Sequence, residues 1–174
     1  MFKKNLLSIK LCSSLIIVLL SLLSCKSHKE IKKLSSQVDC KKTIYFIWDD
    51  ESNVYKSEKR GNYKEGYTFR NIDIDYKELF IESIEKLNED YNGTYIYGKY
   101  SGFPSDSVIQ VRVKLEKLVW HLNFSKSKRD LQLLYSTPNK DFQFLGESNR
   151  KKHKAMLESF EHGNLKFILA TCNN

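Results

Sequence analysis

Val108-Ile109-Gln110-Val111-Arg112-Val113-Lys114-Leu115-Glu116 alternates between apolar and polar side chains without a break. In an extended chain successive side chains point to opposite faces. Ile109, Val111, Val113 and Leu115 therefore share one face, and Gln110, Arg112, Lys114 and Glu116 share the other. One dry face and one wet face are the mark of an antiparallel sheet covered on a single side. The apolar parity then moves to Leu118, Trp120, Leu122 and Phe124, which predicts a bulge or bend near Glu116-Lys117.

Downstream, residues 125–129 read as a basic turn. Leu131, Leu133 and Tyr135 read as a returning strand, and Pro138-Asn139-Lys140-Asp141 turns it into a strand over 142–146. Ser148 is placed to cap a helix carrying Met156, Leu157 and Phe160, with Gly163 as its stop. Leu165, Phe167 and Leu169 then alternate as a closing strand, with Ile168 and Ala170 on its other face.

Upstream, residues 102–107 form a turn around Pro104, and residues 94–100 a short strand. The clearest helix starts at Asp75, whose carboxylate and Glu78 three residues later make a capping-box pattern. Tyr76, Phe80, Ile84, Leu87 and Tyr91 give it one apolar stripe, and Asn92-Gly93 ends it, glycine being suited to a left-handed turn. Residues 52–70 are polar with scattered tyrosines, a weak hairpin or a long loop. From Thr43, Ile44, Phe46 and Trp48 alternate with Tyr45 and Ile47, so both faces are apolar and a central strand is expected. Strand, helix, several sequential strands, helix and strand make an α+β fold: a mainly antiparallel sheet with two helices packed on one face, spanning residues 43–174 as a single domain.

Ahead of that domain stands a different kind of sequence. Lys3, Lys4 and Lys10 precede an apolar run of thirteen residues, 11–23, too short to cross a bilayer of ~30 Å as a helix rising ~1.5 Å per residue. It closes on Leu22-Leu23-Ser24-Cys25. These residues resemble the lipobox of bacterial lipoproteins, with leucine three positions before the cysteine and a small residue just before it; Leu23 stands where a smaller residue is common. The resemblance covers the first 25 residues. It implies cleavage after Ser24, a diacylglyceryl group on the Cys25 sulfur, and fatty acids such as palmitate holding the new N-terminus in the membrane. At ~0.8 kcal/mol per buried methylene, two or more chains hold durably. Lys26, rather than aspartate, follows the cysteine, which under the common Gram-negative sorting rule favours the outer membrane. Residues 25–42 read as the lipidated end and a flexible tether, with at most one helical turn around Ile31 and Leu34; its lysines have the charge to lie on anionic head groups.

Lys and Arg together number 29 and Asp and Glu 21, a formal charge of +8 that falls to +5 once three signal lysines are removed. With both signs interspersed, that excess points to anionic lipid or plain solubility rather than to nucleic acid. Of four cysteines, Cys12 leaves with the signal and Cys25 is acylated, so Cys40 and Cys172 remain. One lies just before the first expected strand and one just after the last, and an oxidising envelope lets them pair if those strands are antiparallel neighbours.

Chemistry-bearing motifs are sparse. Asp49-Asp50-Glu51 at a strand end brings three carboxylates together, but no further oxygen ligands are signalled, and a solvated turn is the simpler account. His28, His121, His153 and His162 lack HExxH spacing, and there is no GxSxG, P-loop or GxGxxG. No cofactor, metal site or catalytic set is expected. Two features suit binding. Tyr95, Tyr97 and Tyr100, with Phe103, form a glycine-punctuated aromatic segment fit for a sugar ring or a partner side chain, or for packing beneath a helix. Residues 125–129 and the run Arg150, Lys151, Lys152 and Lys154 are basic clusters, the second at a helix start where the macrodipole disfavours cations. The expectation is a lipid-anchored bacterial envelope protein that binds a membrane or envelope partner without catalysis. The alternatives are an envelope hydrolase with a carboxylate/histidine site, and a surface lipoprotein contacting host molecules.

Overall fold

In a computed structural model the described residues are 26–54, 56–60, 74–91, 93–103, 105–123, 126–148 and 153–172. They form helix α1 (Lys26–Ser35), strand β1 (Thr43–Trp48), a 3-10 turn (Asp50–Val54), β2 (Lys56–Arg60), α2 (Tyr76–Asp90), β3 (Thr94–Tyr97), β4 (Val108–Asn123), β5 (Lys126–Ser136), β6 (Asp141–Ser148) and α3 (His153–Cys172). The class is α+β. The alternating stretch opens β4, and Val111, Val113 and Leu115 are buried. The expected bulge is present: the register against β5 shifts between Leu115 and Lys117, and Leu118 takes over the buried parity.

The sheet runs β3-β1-β4-β5-β6, with β2 beside the second half of β4. Only β4-β5 and β5-β6 are antiparallel; β1 is parallel to both β3 and β4, and β2 is parallel to β4. By paired residues the sheet is mostly antiparallel, as expected, but it is mixed and not antiparallel throughout. The physical reason is the crossover: α2 carries the chain back over the sheet, so β3 starts where β1 starts. On the far side of the bulge β1 and β2 behave as one interrupted strand against β4. The 3-10 turn fills the gap, where Ser52 Oγ accepts a hydrogen bond from Leu115 N at 2.9 Å that no strand partner supplies.

Ile44, Phe46 and Trp48 on β1, with Leu131, Leu133 and Tyr135 on β5, face Leu79, Phe80, Ile84 and Leu87 of α2 and Met156, Phe160, Phe167 and Ile168 of α3. Aromatic rings join the layers, Phe80 against Trp48 at 5.1 Å and Tyr135 stacked on Phe167 at 4.8 Å. Asp75 caps α2, accepting from Glu78 N at 2.9 Å. The helix leaves through Tyr91 in an extended conformation (φ −138°), and the one described glycine with positive φ is Gly98, not Gly93.

Among the described residues there are three α-helices, not two, and several readings are corrected. The expected closing strand over 165–169 is the last part of α3; Gly163 does not stop that helix, and Ser148 ends β6 instead of capping it. Gly163 and Gly146 let the helix lie close: a Cβ on Gly146 would overlap the Ser159 carbonyl oxygen, and one on Gly163 would press on Leu133 and the Tyr135 hydroxyl. Residues 126–129 are not a turn but the start of β5, extending its hairpin with β4. Where a solvated spacer was expected, α1 docks on the body, with Ile31 only 2 % exposed and Leu34 and Val38 against the core. Cys40 and Cys172 form a disulfide with 5.1 Å between Cα atoms, closing from the end of a helix and not from a strand. Among the described residues no helix is long and apolar enough to cross a membrane.

Candidate functional site

The basic runs, scattered in sequence, converge in space. β2 and the start of β5 flank the last turns of β4: Lys56 lies opposite Lys117 and Arg60 opposite His121 on one side, while Lys128 lies opposite His121 and Arg129 opposite Trp120 on the other. Arg129 in turn pairs with Ser148, the last residue before the connection to α3, whose first turn holds exposed Lys154 and no acid. One end of the sheet thus collects the cations of three segments. Two of its acids are engaged within it: Glu58 pairs with Lys117, and Asp130 Oδ2 lies 2.8 Å from His121 Nε2. The Arg129 guanidinium sits 4.3 Å over the Trp120 ring, and burial lowers its pKa. Lys56, Lys59 and Arg60 gave no sequence signal, because Lys-Ser-Glu-Lys-Arg has no apolar alternation to mark a strand.

The tyrosines do not act as one surface. Tyr95 is buried under α2, and Tyr97 faces the same helix with its ring 6.5 Å from Phe80. Tyr100 turns to the helix-free face and packs on Tyr45 at 5.0 Å. Packing beneath a helix thus takes Tyr95 and Tyr97, and leaves Tyr100 with exposed Phe103. The helix-free face also presents Arg112, Gln143 and Leu145.

A cleft of about 480 Å³ lies where α1 crosses α2 and α3, lined in part by Ile31, Lys32, Ser35, Tyr91 and Glu161. Glu161 is buried and pairs with Lys86 at 2.8 Å, which also reaches Asp90 at 3.0 Å. Burial raises the Glu161 pKa, and the Lys86 partner offsets part of that rise. For Lys86, burial pulls the pKa down, but its bonds to Glu161 and Asp90 outweigh this and hold the ammonium above the usual lysine range. Next to it, His162 Nδ1 accepts from Glu147 N at 3.1 Å, and burial lowers its pKa, with Lys166 adding to the effect. This internal pair lies on helix faces that no motif distinguishes.

Asp49, Asp50 and Glu51 do not make a cation site. Asp49 Oδ1 accepts from Glu51 N, and Glu51 is paired with Lys114 at 2.6 Å. Among the described residues no three of His, Cys, Asp and Glu are grouped to hold a metal. Trp48 pairs with Val113, and His121 stands eight residues further along β4, so Asp49 and His121 are on the order of 25 Å apart and share no site. Cys25, Arg150, Lys151 and Lys152 lie outside the described residues. Compared with protein-family models, curated proteins and solved structures, the chain matches none.

Proposed function

We propose that this chain is a lipid-anchored protein of a bacterial envelope, held in the outer membrane through acylated Cys25, and that it works as a non-enzymatic binding or accessory factor. The lipobox-like residues Leu22, Ser24 and Cys25 support the anchor. The observation that supports recognition without catalysis is the gathering of β2, the start of β5 and the start of α3 into one basic end. Such a surface recognises anionic groups by charge and needs no enclosed site. Holding the domain in two dimensions raises its effective concentration at a membrane neighbour, so weak contacts suffice. The envelope partner is a component met in that layer.

Fatty-acid labelling of wild type and Cys25→Ala in cells tests the anchor. Label on the wild type alone, with the variant leaving the membrane fraction, is the expected outcome; label on both overturns it. Cross-linking in intact envelopes, with Cys25→Ala as control, then tests for a stoichiometric neighbour that depends on the anchor.

A further inference from the structure

We infer that the basic end of the sheet is the face this protein lays against the anionic bilayer carrying its own anchor, an inference that rests on acylation of Cys25. Its basis is the path of α1. Three contacts fix that helix along the body: Glu30 lies 3.8 Å from His162, Ser35 lines the same cleft as Tyr91, and Cys40 is bonded to Cys172. As the chain advances from Glu30 in α1 to Cys40, five residues past the helix end, its partners on α3 advance from 162 to 172, so the two helices run in the same general direction. The start of α1 therefore points the way the start of α3 points, towards Lys154 and the paired ends of β4, β5 and β2.

The reach of the anchor follows. As a free tether, residues 26–42 would span roughly 55 Å, and the domain would tumble with no preferred face. Docked through Ile31, α1 leaves four residue steps, about 6 Å of helix, from Glu30 back to Lys26, the residue after the acylated cysteine. The membrane surface is then within a Debye length of the folded body, and charge decides which end meets it. The end nearest the anchor carries Lys56, Lys59 and Arg60, then Lys126 and Lys128, and Lys154; phosphate head groups are the complementary partner.

The chain allows a clean test, because with Cys12 removed, Cys25 acylated and Cys40 bonded to Cys172, one added cysteine is the only thiol. Lipidated full-length protein bearing a fluorophore at Lys154→Cys or at Asn139→Cys is reconstituted into vesicles containing an acceptor lipid. The two sites lie near opposite ends of β6, a strand about 24 Å long. In phosphatidylglycerol vesicles transfer from position 154 should exceed that from 139 by about twofold or more. That excess should collapse in phosphatidylcholine, in about 0.5 M salt, and when Lys126→Glu and Lys128→Glu are combined with the 154 label. Equal transfer from both sites, or an excess indifferent to lipid charge and salt, overturns the inference while the protein still floats with the vesicles. Loss of flotation overturns the anchor itself.

Discussion

Helices α2 and α3 lie side by side on one sheet, joined by Asn164 Nδ2 donating to Ser83 Oγ at 3.1 Å and by Lys86 with Glu161, but α2 keeps a wet side along its length while the middle of α3 is enclosed. On α2 the buried positions are Leu79, Phe80, Ser83, Ile84 and Leu87, while Glu78, Glu82 and Glu85 face water. α3 has the sheet on one side, α2 on another and α1 over it, so Glu158, Ser159, Glu161, His162 and Asn164 are all buried with its apolar residues. A helix with solvent on one side is positioned by an apolar stripe. An enclosed helix must also find a partner for each polar group it carries, since an unmatched one costs about 1–3 kcal/mol. α3 meets most of that demand with Ser148 Oγ on Glu158 at 3.0 Å, Ser159 Oγ on the Ala155 carbonyl at 2.8 Å, and the Tyr135 hydroxyl on Asn164 Oδ1 at 2.9 Å.

The contrast can be broken first where the two helices are alike. Phe80 and Phe160 touch at 5.6 Å, and Phe80→Ala or Phe160→Ala should each cost about 3–5 kcal/mol in denaturant unfolding. Because they share a contact, the double variant should cost less than the sum; strict additivity would show that the helices are held independently. Asn164→Leu sharpens the difference, leaving the buried Tyr135 hydroxyl without its acceptor at a cost of about 2 kcal/mol, whereas exposed Glu82→Ala on α2 should stay within about 0.5 kcal/mol. Asp75→Ala, removing the cap of α2, should cost about 1 kcal/mol.

The smallest effect is a slope. The His162 pKa is lowered below its usual 6.5, so on acidification the unfolded chain takes up that proton first. Its contribution is complete above about pH 6.5 and is lost as pH falls towards the folded value. Glu161, raised above 4.5, acts in the opposite sense, favouring the folded state as pH falls towards 4.5. His162→Gln should therefore flatten the decline in Tm between about pH 7 and 5; an unchanged decline would assign acid sensitivity to other groups.

These differences explain what could be read beforehand. The strand from Val108, the bulge after Leu115 and the capped helix from Asp75 each repeat a local rule with one face in water, and each is present. The pairing of Cys40 with Cys172 is also present, though with a helix in place of the second strand. In α3, by contrast, Leu165, Phe167 and Leu169 keep a two-residue period by accident of enclosure, because Lys166 reaches out to the Leu145 carbonyl while Ile168 is buried as well. α1 carries two apolar residues, Ile31 and Leu34, among lysines, too few to signal a helix, and it is stabilised by the groove that receives Ile31. The basic end is written in three separate pieces, and only strand register brings them together. The parallel pairing of β1 with β4 has no local cause at all; it follows from where the chain leaving β3 re-enters the sheet, at Val108 opposite Thr43.

The disulfide has a mechanical consequence. It ties Cys40, five residues past the first helix, to the last turn of the final one, closing residues 40–172 into a covalent ring. A pull applied between Lys26 and Cys172 would run along α1 and then directly through the sulfur bridge, bypassing the ladders of the sheet. Under such a pull residues 26–39 lengthen while the ring does not. Such a pull would peel α1 from its groove and leave the body behind the bridge intact; in a stretching experiment the oxidised protein should extend by that short segment, and the reduced one by nearly its whole contour.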